Sequence, residues 1–267
     1  MNKKIAIKNS KIKFNEKEHR YFVDVRELVS VTKIIHQFFP EFIANDIAEK
    51  KAEGCPIKRD EILKDWEIRN LSGTAVHNFL EDYVKTGQSP NDNDFQNKAD
   101  EIGTNINNLK LRFLAGKQFI KDMILGGWKP FISEWIVWSE ELGLAGTIDL
   151  AFINDNNEIY IADYKCTKRI YQQSWSKKEF NGYDLNGIPK YKYTSETAFY
   201  PIDNLENCNF IKYSLQLTAY KYILEKEYGV NVKGCCLVHL LEGRSQYKIY
   251  DTLILEGEFE KIIEVKT

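Results

Sequence analysis

The chain has 267 residues, of which 43% are hydrophobic and 28% charged, and its formal charge is −2 at pH 7. This length is enough to bury a real core, in one large domain or two small ones. The near-neutral balance excludes a uniformly basic surface but leaves room for a local basic groove. No stretch approaches the roughly 20 apolar residues that cross a bilayer, and MNKKIAIKNSKIKF at the start has no apolar run of signal-peptide length, so an intracellular protein is expected. Cys55, Cys166, Cys208, Cys235 and Cys236 contain no C-x-x-C pair, which points to neither a disulfide frame nor a zinc site. Cys235 and Cys236 read as small packing residues in a strand.

In chain order, residues 4–29 are expected to form short strands with a turn near NEKEH. SVTKIIHQFFPEF carries a helix start, with Ser30 or Thr32 as cap and Ile34, Ile35 and Phe38 on one side, until Pro40 interrupts it. Residues 41–71 are charged and helical with a break around EGCPIK. SGTAVHNFLEDYVKTG is the clearest helix: Val76, Phe79, Leu80, Tyr83 and Val84 make an apolar stripe, and Gly87 suits its end. QSPNDNDFQN reads as a polar loop, and residues 105–125 as an amphipathic helix ended by Gly126-Gly127. From Pro130 the period changes, and three strands follow, joined around SEELG and NDNNE. Residues 166–212 lack clean periodicity and form a long excursion. YSLQLTAYKYILEKEYG is an amphipathic helix ending at Gly229, and VKGCCLVHLLEG and YKIYDTLILEG are closing strands. With no repeats and no low-complexity linker, one α/β (α+β) domain over 1–267 is expected, with helices around a mixed sheet. It carries an N-terminal extension over about 1–71 and an inserted flap over about 166–212.

IYIADYKCTK holds the chemistry. Asp163 and Lys165 lie two apart on a strand and share a face, and charges leave water at high cost unless paired or bound to a metal. A five-residue loop, Asn154 to Glu158, would pair Ile153 with Ile159 and set Asp149 opposite Asp163. Two close carboxylates repel unless protonated or bridged by a cation, and hard oxygen ligands suit Mg²⁺ or Mn²⁺. Such an ion polarises a phosphoryl oxygen, while a nearby lysine orients water or stabilises developing negative charge. The plainer alternative is a structural Asp–Lys pair at an exposed hairpin end, and D…DYK alone leaves both open.

GTIDL followed by IADYK resembles the core of the PD-(D/E)XK nuclease superfamily in its RecB-like exonuclease branch. That branch also has an upstream helical histidine, matched by His77 in GTAVHNFLEDY, and an acidic residue on the strand before G-x-x-D, matched by Glu134 in FISEW. Its Q-x-x-x-Y helix is matched by Gln216 and Tyr220 in QLTAY. The order is kept over residues 73–224. YFVDVRELVSVTKII is similar to phage and bacterial members related to mitochondrial genome-maintenance exonucleases. The resemblance implies a restriction-endonuclease-like core in which Asp149 and Asp163 bind metal, joined by the Tyr164 carbonyl and His77. Lys165 would be the catalytic lysine, Glu134 a further acid of the site, and Gln216 and Tyr220 would shape the site or contact DNA. Each residue also has a plainer role: His77 and Glu81 form a helical i, i+4 pair, Glu134 lies on a strand's polar face, and Tyr220 packs with its hydroxyl satisfied. His19, His36 and His239 have no partner pattern and read as structural.

Residues 165–193 hold seven lysines and arginines against two acids, a local balance of +5, interleaved with aromatic residues. Lysines that track phosphates beside rings that stack on bases suit single-stranded nucleic acid. Lys168, Arg169, Trp175, Lys177 and Lys178 are therefore candidate DNA contacts; the alternative is a solvated loop anchored by its aromatics.

The resulting expectation is a Mg²⁺- or Mn²⁺-dependent DNA exonuclease acting at DNA ends in replication, repair or phage recombination. Its expected partner is DNA with a single-stranded end, with recombination or replication proteins as further candidates, in the cytoplasm of a bacterial or phage-infected cell. The cysteine spacing differs from that of the iron–sulfur form of this branch, and no P-loop supplies ATP chemistry. The rival readings are a non-catalytic nucleic-acid-binding module on the same fold and a structure-specific endonuclease.

Overall fold

A computed structural model describes residues 3–15, 18, 20–183, 186 and 188–266. His19 and Asp184 lie outside the described residues, as do the side chains of Lys177 and Tyr193. The chain opens with α1 (Lys3–Lys11), then β1 (Ile12–Asn15), β2 (Arg20–Val23) and β3 (Arg26–Ser30). Residues 4–11 are thus helical, where short strands are expected over 4–29. Tertiary contacts decide this: Ile5 is buried, Asn9 Oδ1 accepts from Trp135 Nε1, and the Lys8 carbonyl accepts from Trp138 Nε1.

Helices α2 (Val31–His36), α3 (Ala44–Ala52), α4 (Arg59–Thr86), α5 (Asp92–Ile102) and α6 (Ile106–Leu125) follow. Ser30 occupies the N-cap of α2 without a side-chain capping bond, and the Thr32 hydroxyl instead accepts from Gln216. Helix α4 runs unbroken through 28 residues to Gly87, whose φ of 73° closes it in the left-handed region open to glycine. The stretch expected as a polar loop, QSPNDNDFQN, instead starts α5. There Asn91 and Asp94 form a reciprocal capping box, a signal present in the sequence as N-x-x-D.

Next come β4 (Lys129–Ser139), β5 (Leu144–Ile153) and β6 (Glu158–Lys165), then β7 (Ser176–Tyr183) and β8 (Pro189–Ser195). The expected long excursion therefore contains a hairpin. Helix α7 (Asn209–Ile223) continues as a π-helical turn, Leu224–Tyr228, and stops at Gly229. It is followed by β9 (Asn231–Leu240), β10 (Tyr247–Asp251) and α8 (Glu256–Lys266). The last strand ends at Asp251 and gives way to α8, because Phe259 and Ile262 at helical spacing bury against the core.

The main sheet is mixed, in the order β1-β2-β3-β5-β6-β9-β10, with β4 on the other edge of β5; β7 and β8 pair in a separate ribbon. Strand β6 runs antiparallel to β5 and parallel to β9. Helices flank both faces. Alternation along β6 divides the core: Ile159 and Ile161 join the side packed by α2 and α7, while Tyr160, Ala162 and Tyr164 join the side packed by α4, α5 and α6. Cys235 and Cys236 are buried in β9. No described helix is long and apolar enough to cross a membrane.

Candidate active site

The site forms where the sheet comes apart. Ile153 pairs with Ile159, and the β5–β6 ladder ends at Leu150 and Ala162, so Asp149 and Asp163 are the next residues in register. Strand β3 meets β5 only at Leu144 and Ala145. Between Ala145 and Leu150, β5 has no strand partner on this side among the described residues. The gap is bridged by side chains: Tyr164 N–H donates to Asp149 Oδ2 at 2.7 Å, and the hydroxyls of Tyr21 and Thr147 meet at 3.0 Å. A strand residue presents its N–H and C=O to the same edge, so the Tyr164 carbonyl is directed to the Asp149 side as well.

On the other edge of β5, Ser133 pairs with Leu150 and Trp135 with Ile148, which puts Glu134 across from Asp149. Glu134 has a φ of 47°, a left-handed conformation uncommon outside glycine, and it interrupts the ladder there. His77, on the third turn from the end of α4, places Nδ1 3.5 Å from Asp149 Oδ2, with its ring edge-on to Tyr164. One ligating atom each from His77, Glu134 and Asp149 lies within 4.8 Å of the others.

Protonation in this cluster reflects its crowding. Burial, then the Asp149 charge, pushes the Glu134 carboxyl up to about 8. Burial pulls His77 down, but Asp149 and then Cys166 outweigh it and lift the imidazole to about 9. Without a cation, these groups hold protons that a divalent ion would displace. One nitrogen and two carboxylate oxygens form a hard, compact donor set that fits Mn²⁺ or Mg²⁺.

Asp163, 2% exposed, faces Lys165 with 2.5 Å between Oδ2 and Nζ, though the angles are not those of a hydrogen bond. Burial and then Asp149 push Asp163 up to about 6, against Lys165. Burial opposes the Lys165 charge, but Asp163, Tyr213 and Asp149 together outweigh it and keep the ammonium protonated. The Lys165 ammonium also lies over the Tyr213 ring, 4.4 Å from its centre. The structure therefore brings Asp149, Asp163, Lys165, His77, Glu134 and the Tyr164 main chain together. It groups them differently from the expected ligand set, with Glu134 beside His77 and Asp149 and with Asp163 engaged by Lys165.

Helix α7 closes the gap from one face. The Gln216 amide donates to Tyr220 Oη at 2.9 Å and to Thr32 Oγ1 at 3.1 Å. Tyr220 is buried, and its ring lies directly on Gly146: a Cβ there would sit 2.4 Å from Tyr220 Cε1. The glycine of GTIDL and the tyrosine of QLTAY are thus one packing contact. Sequence reading missed Tyr213, although it lies one turn before Gln216, and Thr32, for which no local signal exists.

Lys168, Arg169, Trp175 and Lys178 are exposed. The β7–β8 ribbon is held at its base: Tyr171 N–H donates to Asn209 Oδ1, Ser174 N–H to Glu206 Oε2, and Phe199 N–H to the Phe38 carbonyl. Its described aromatic side chains lie exposed. Trp175 is 81% exposed and Tyr183 65%, Phe180 packs against Tyr183 and Tyr191, and Lys178 Nζ stands 3.8 Å from the centre of the Tyr191 ring.

No protein-family model matches the chain, and no curated protein gives a significant match.

Proposed function

We propose that the chain is a divalent-metal-dependent deoxyribonuclease of the PD-(D/E)XK type. In this reading it is an exonuclease hydrolysing phosphodiester bonds at DNA ends, in replication, repair or phage recombination inside a bacterial or phage-infected cell. The observation that carries the proposal is the convergence of His77, Glu134 and Asp149 within 4.8 Å. It occurs at the same break in the sheet that holds the Asp163–Lys165 pair. A structural Asp–Lys pair at a hairpin end would not need a second acid and a histidine gathered beside it.

When bound by His77, Glu134, Asp149 and the Tyr164 carbonyl, a divalent ion supplies Lewis-acid polarisation of a phosphoryl oxygen. Lys165, held as an ammonium by Asp163, orients the attacking water and stabilises the negative charge that builds on the phosphate. Tyr213, under the Lys165 ammonium, and Gln216, tied to Tyr220 and Thr32, keep that wall of the cleft in place. The exposed ribbon offers lysines for phosphates and rings for unpaired bases, which supports a single-stranded end as substrate.

The test is cleavage of single-stranded, duplex and flapped DNA carrying 5′ or 3′ labels, with closed circular DNA alongside, in Mg²⁺ and in Mn²⁺. Release of end nucleotides, abolished in Asp149→Ala and Lys165→Ala proteins that remain folded, is the expected result. Cutting of closed circles would make the enzyme an endonuclease. Binding without cleavage in either metal would make it a non-catalytic module.

A further inference from the structure

Beside Lys165, on the α7 side of the cleft, lies a pocket of about 160 Å³ bordered by Thr32, His36, Lys165, Lys212, Tyr213 and Gln216. It falls below the roughly 300 Å³ at which pockets for whole small molecules begin, so it suits a chemical group rather than a free metabolite. Its wall has three side chains that carry or can take positive charge and no carboxylate. Lys165 already has Asp163. Lys212 has no acid within 4 Å among the described residues; its ammonium rests over Phe39, 4.9 Å from the ring centre. His36 has no ionic partner among the described residues either, and the charge of Lys212 acts against its protonation.

The neutral groups point the same way. Thr32 Oγ1 accepts the Gln216 amide, which leaves the Thr32 hydroxyl hydrogen to donate into the pocket. Burial lowers the pKa of Lys212, and burial together with Lys212 lowers that of His36. The half-buried Lys212, with no carboxylate on the pocket wall, together with the exposed His36 ring leaves a site that an anion would complete.

We propose that this pocket receives a phosphate group of the DNA strand, gripped by Lys212, His36 and the Thr32 hydroxyl, and so sets which phosphodiester lies beside Lys165. The identity of the strand rests on the nuclease reading; the affinity for phosphate rests on the pocket. The phosphate has two possible sources, a terminal monoester or an internal diester. If it is terminal, the pocket makes the enzyme measure from a phosphorylated end.

The experiment is equilibrium binding in EDTA, where no cutting occurs, by anisotropy of internally labelled oligonucleotides. The strands carry a 5′-phosphate, a 3′-phosphate or hydroxyls at both ends, and a fourth is a single-stranded circle. The full chain is compared with Lys212→Gln, His36→Gln and Thr32→Val, with folding followed by circular dichroism and with Lys212→Arg as a charge-preserving control. Removing a charge-assisted hydrogen bond predicts affinity about tenfold weaker for Lys212→Gln and recovered in Lys212→Arg. A weakening confined to one phosphorylated end assigns the pocket to a terminal phosphate, and a weakening shared by all four strands assigns it to a backbone phosphate. Binding within twofold of the parent for all three neutral variants overturns the proposal. Cleavage is scored separately: a parent chain that shows this binding pattern yet cuts nothing in Mg²⁺ or Mn²⁺ removes the nuclease reading and leaves the pocket standing.

Discussion

Replacing Gly146 with alanine tests the joint between the metal-bearing strand and the helix that covers it. The added methyl would lie 2.4, 2.8 and 2.9 Å from three atoms of the Tyr220 side chain. Ordinary contact begins near 3.4 Å, so the ring or strand β5 must retreat by about 1 Å, and overpacking of this kind costs about 1–3 kcal/mol. Tyr220 is buried, and its hydroxyl accepts from Gln216, so a displaced ring also strains a hydrogen bond worth about 1 kcal/mol. The expected destabilisation is about 2–4 kcal/mol, read by urea denaturation, with a fall in melting temperature of about 4–7 °C for a chain of this size. Tyr220→Ala removes the obstacle, so adding Gly146→Ala to that background should cost at least about 1 kcal/mol less than in the parent. Cleavage should fall as well, because Gln216 moves with Tyr220 and a misplacement of about 1 Å at a reacting centre can cost about a hundredfold. If the two substitutions prove additive within about 0.5 kcal/mol, this close approach is not what fixes glycine at this position.

Four further outcomes follow from the same geometry. Asp163→Ala and Lys165→Ala each strand a buried charge and should destabilise the fold by about 3–5 kcal/mol in urea denaturation, whereas Asp163→Asn with Lys165→Met should cost markedly less; equal destabilisation in all three would show that the pair is not coupled. Mn²⁺ or Mg²⁺ at about 100 times its dissociation constant should stabilise the parent by about 2.7 kcal/mol. Glu134→Gln should diminish that gain more than Asp163→Asn does, and the reverse ranking would return Asp163 to the ligand set. Neutralising Lys168, Arg169, Lys177 and Lys178 should weaken single-strand binding and reduce its logarithmic salt slope by about 0.7 for each phosphate no longer neutralised, so an unchanged slope would remove the ribbon from the interface. His239 is buried with Nε2 2.7 Å from the Thr167 carbonyl, and burial holds its pKa below the ordinary 6.5. The folded protein therefore resists protonating it while the unfolded chain takes up a proton below about pH 6.5, so the stability of the parent relative to His239→Gln should fall between about pH 7.5 and about pH 5.5.

The sequence determined more of the site than its local motifs alone would suggest. Alternation over GTIDL and IADYK aligned Asp149 with Asp163 on condition of a five-residue loop, a length the Ile153–Ile159 pairing supplies, because a strand's period of two ties register to face. The stripe around His77 and the spacing of Gln216 and Tyr220 likewise followed from helical period. Where local patterns misled, the deciding contacts lay far along the chain. Residues 4–11 look like a strand until Trp135 and Trp138 donate to Asn9 and Lys8, and Glu134 looks like a polar-face residue until its backbone turns it beside Asp149.

Only the tertiary structure decided which acid stands with His77, that the glycine of one motif exists for the tyrosine of another, and that Thr32, His36 and Lys212 share a wall with Lys165. These facts have one physical cause. Periodicity dictates which side of an element a residue occupies, whereas the distances between elements that carry charge, strain and close approach are fixed only when the helices settle on the sheet and exclude water between them.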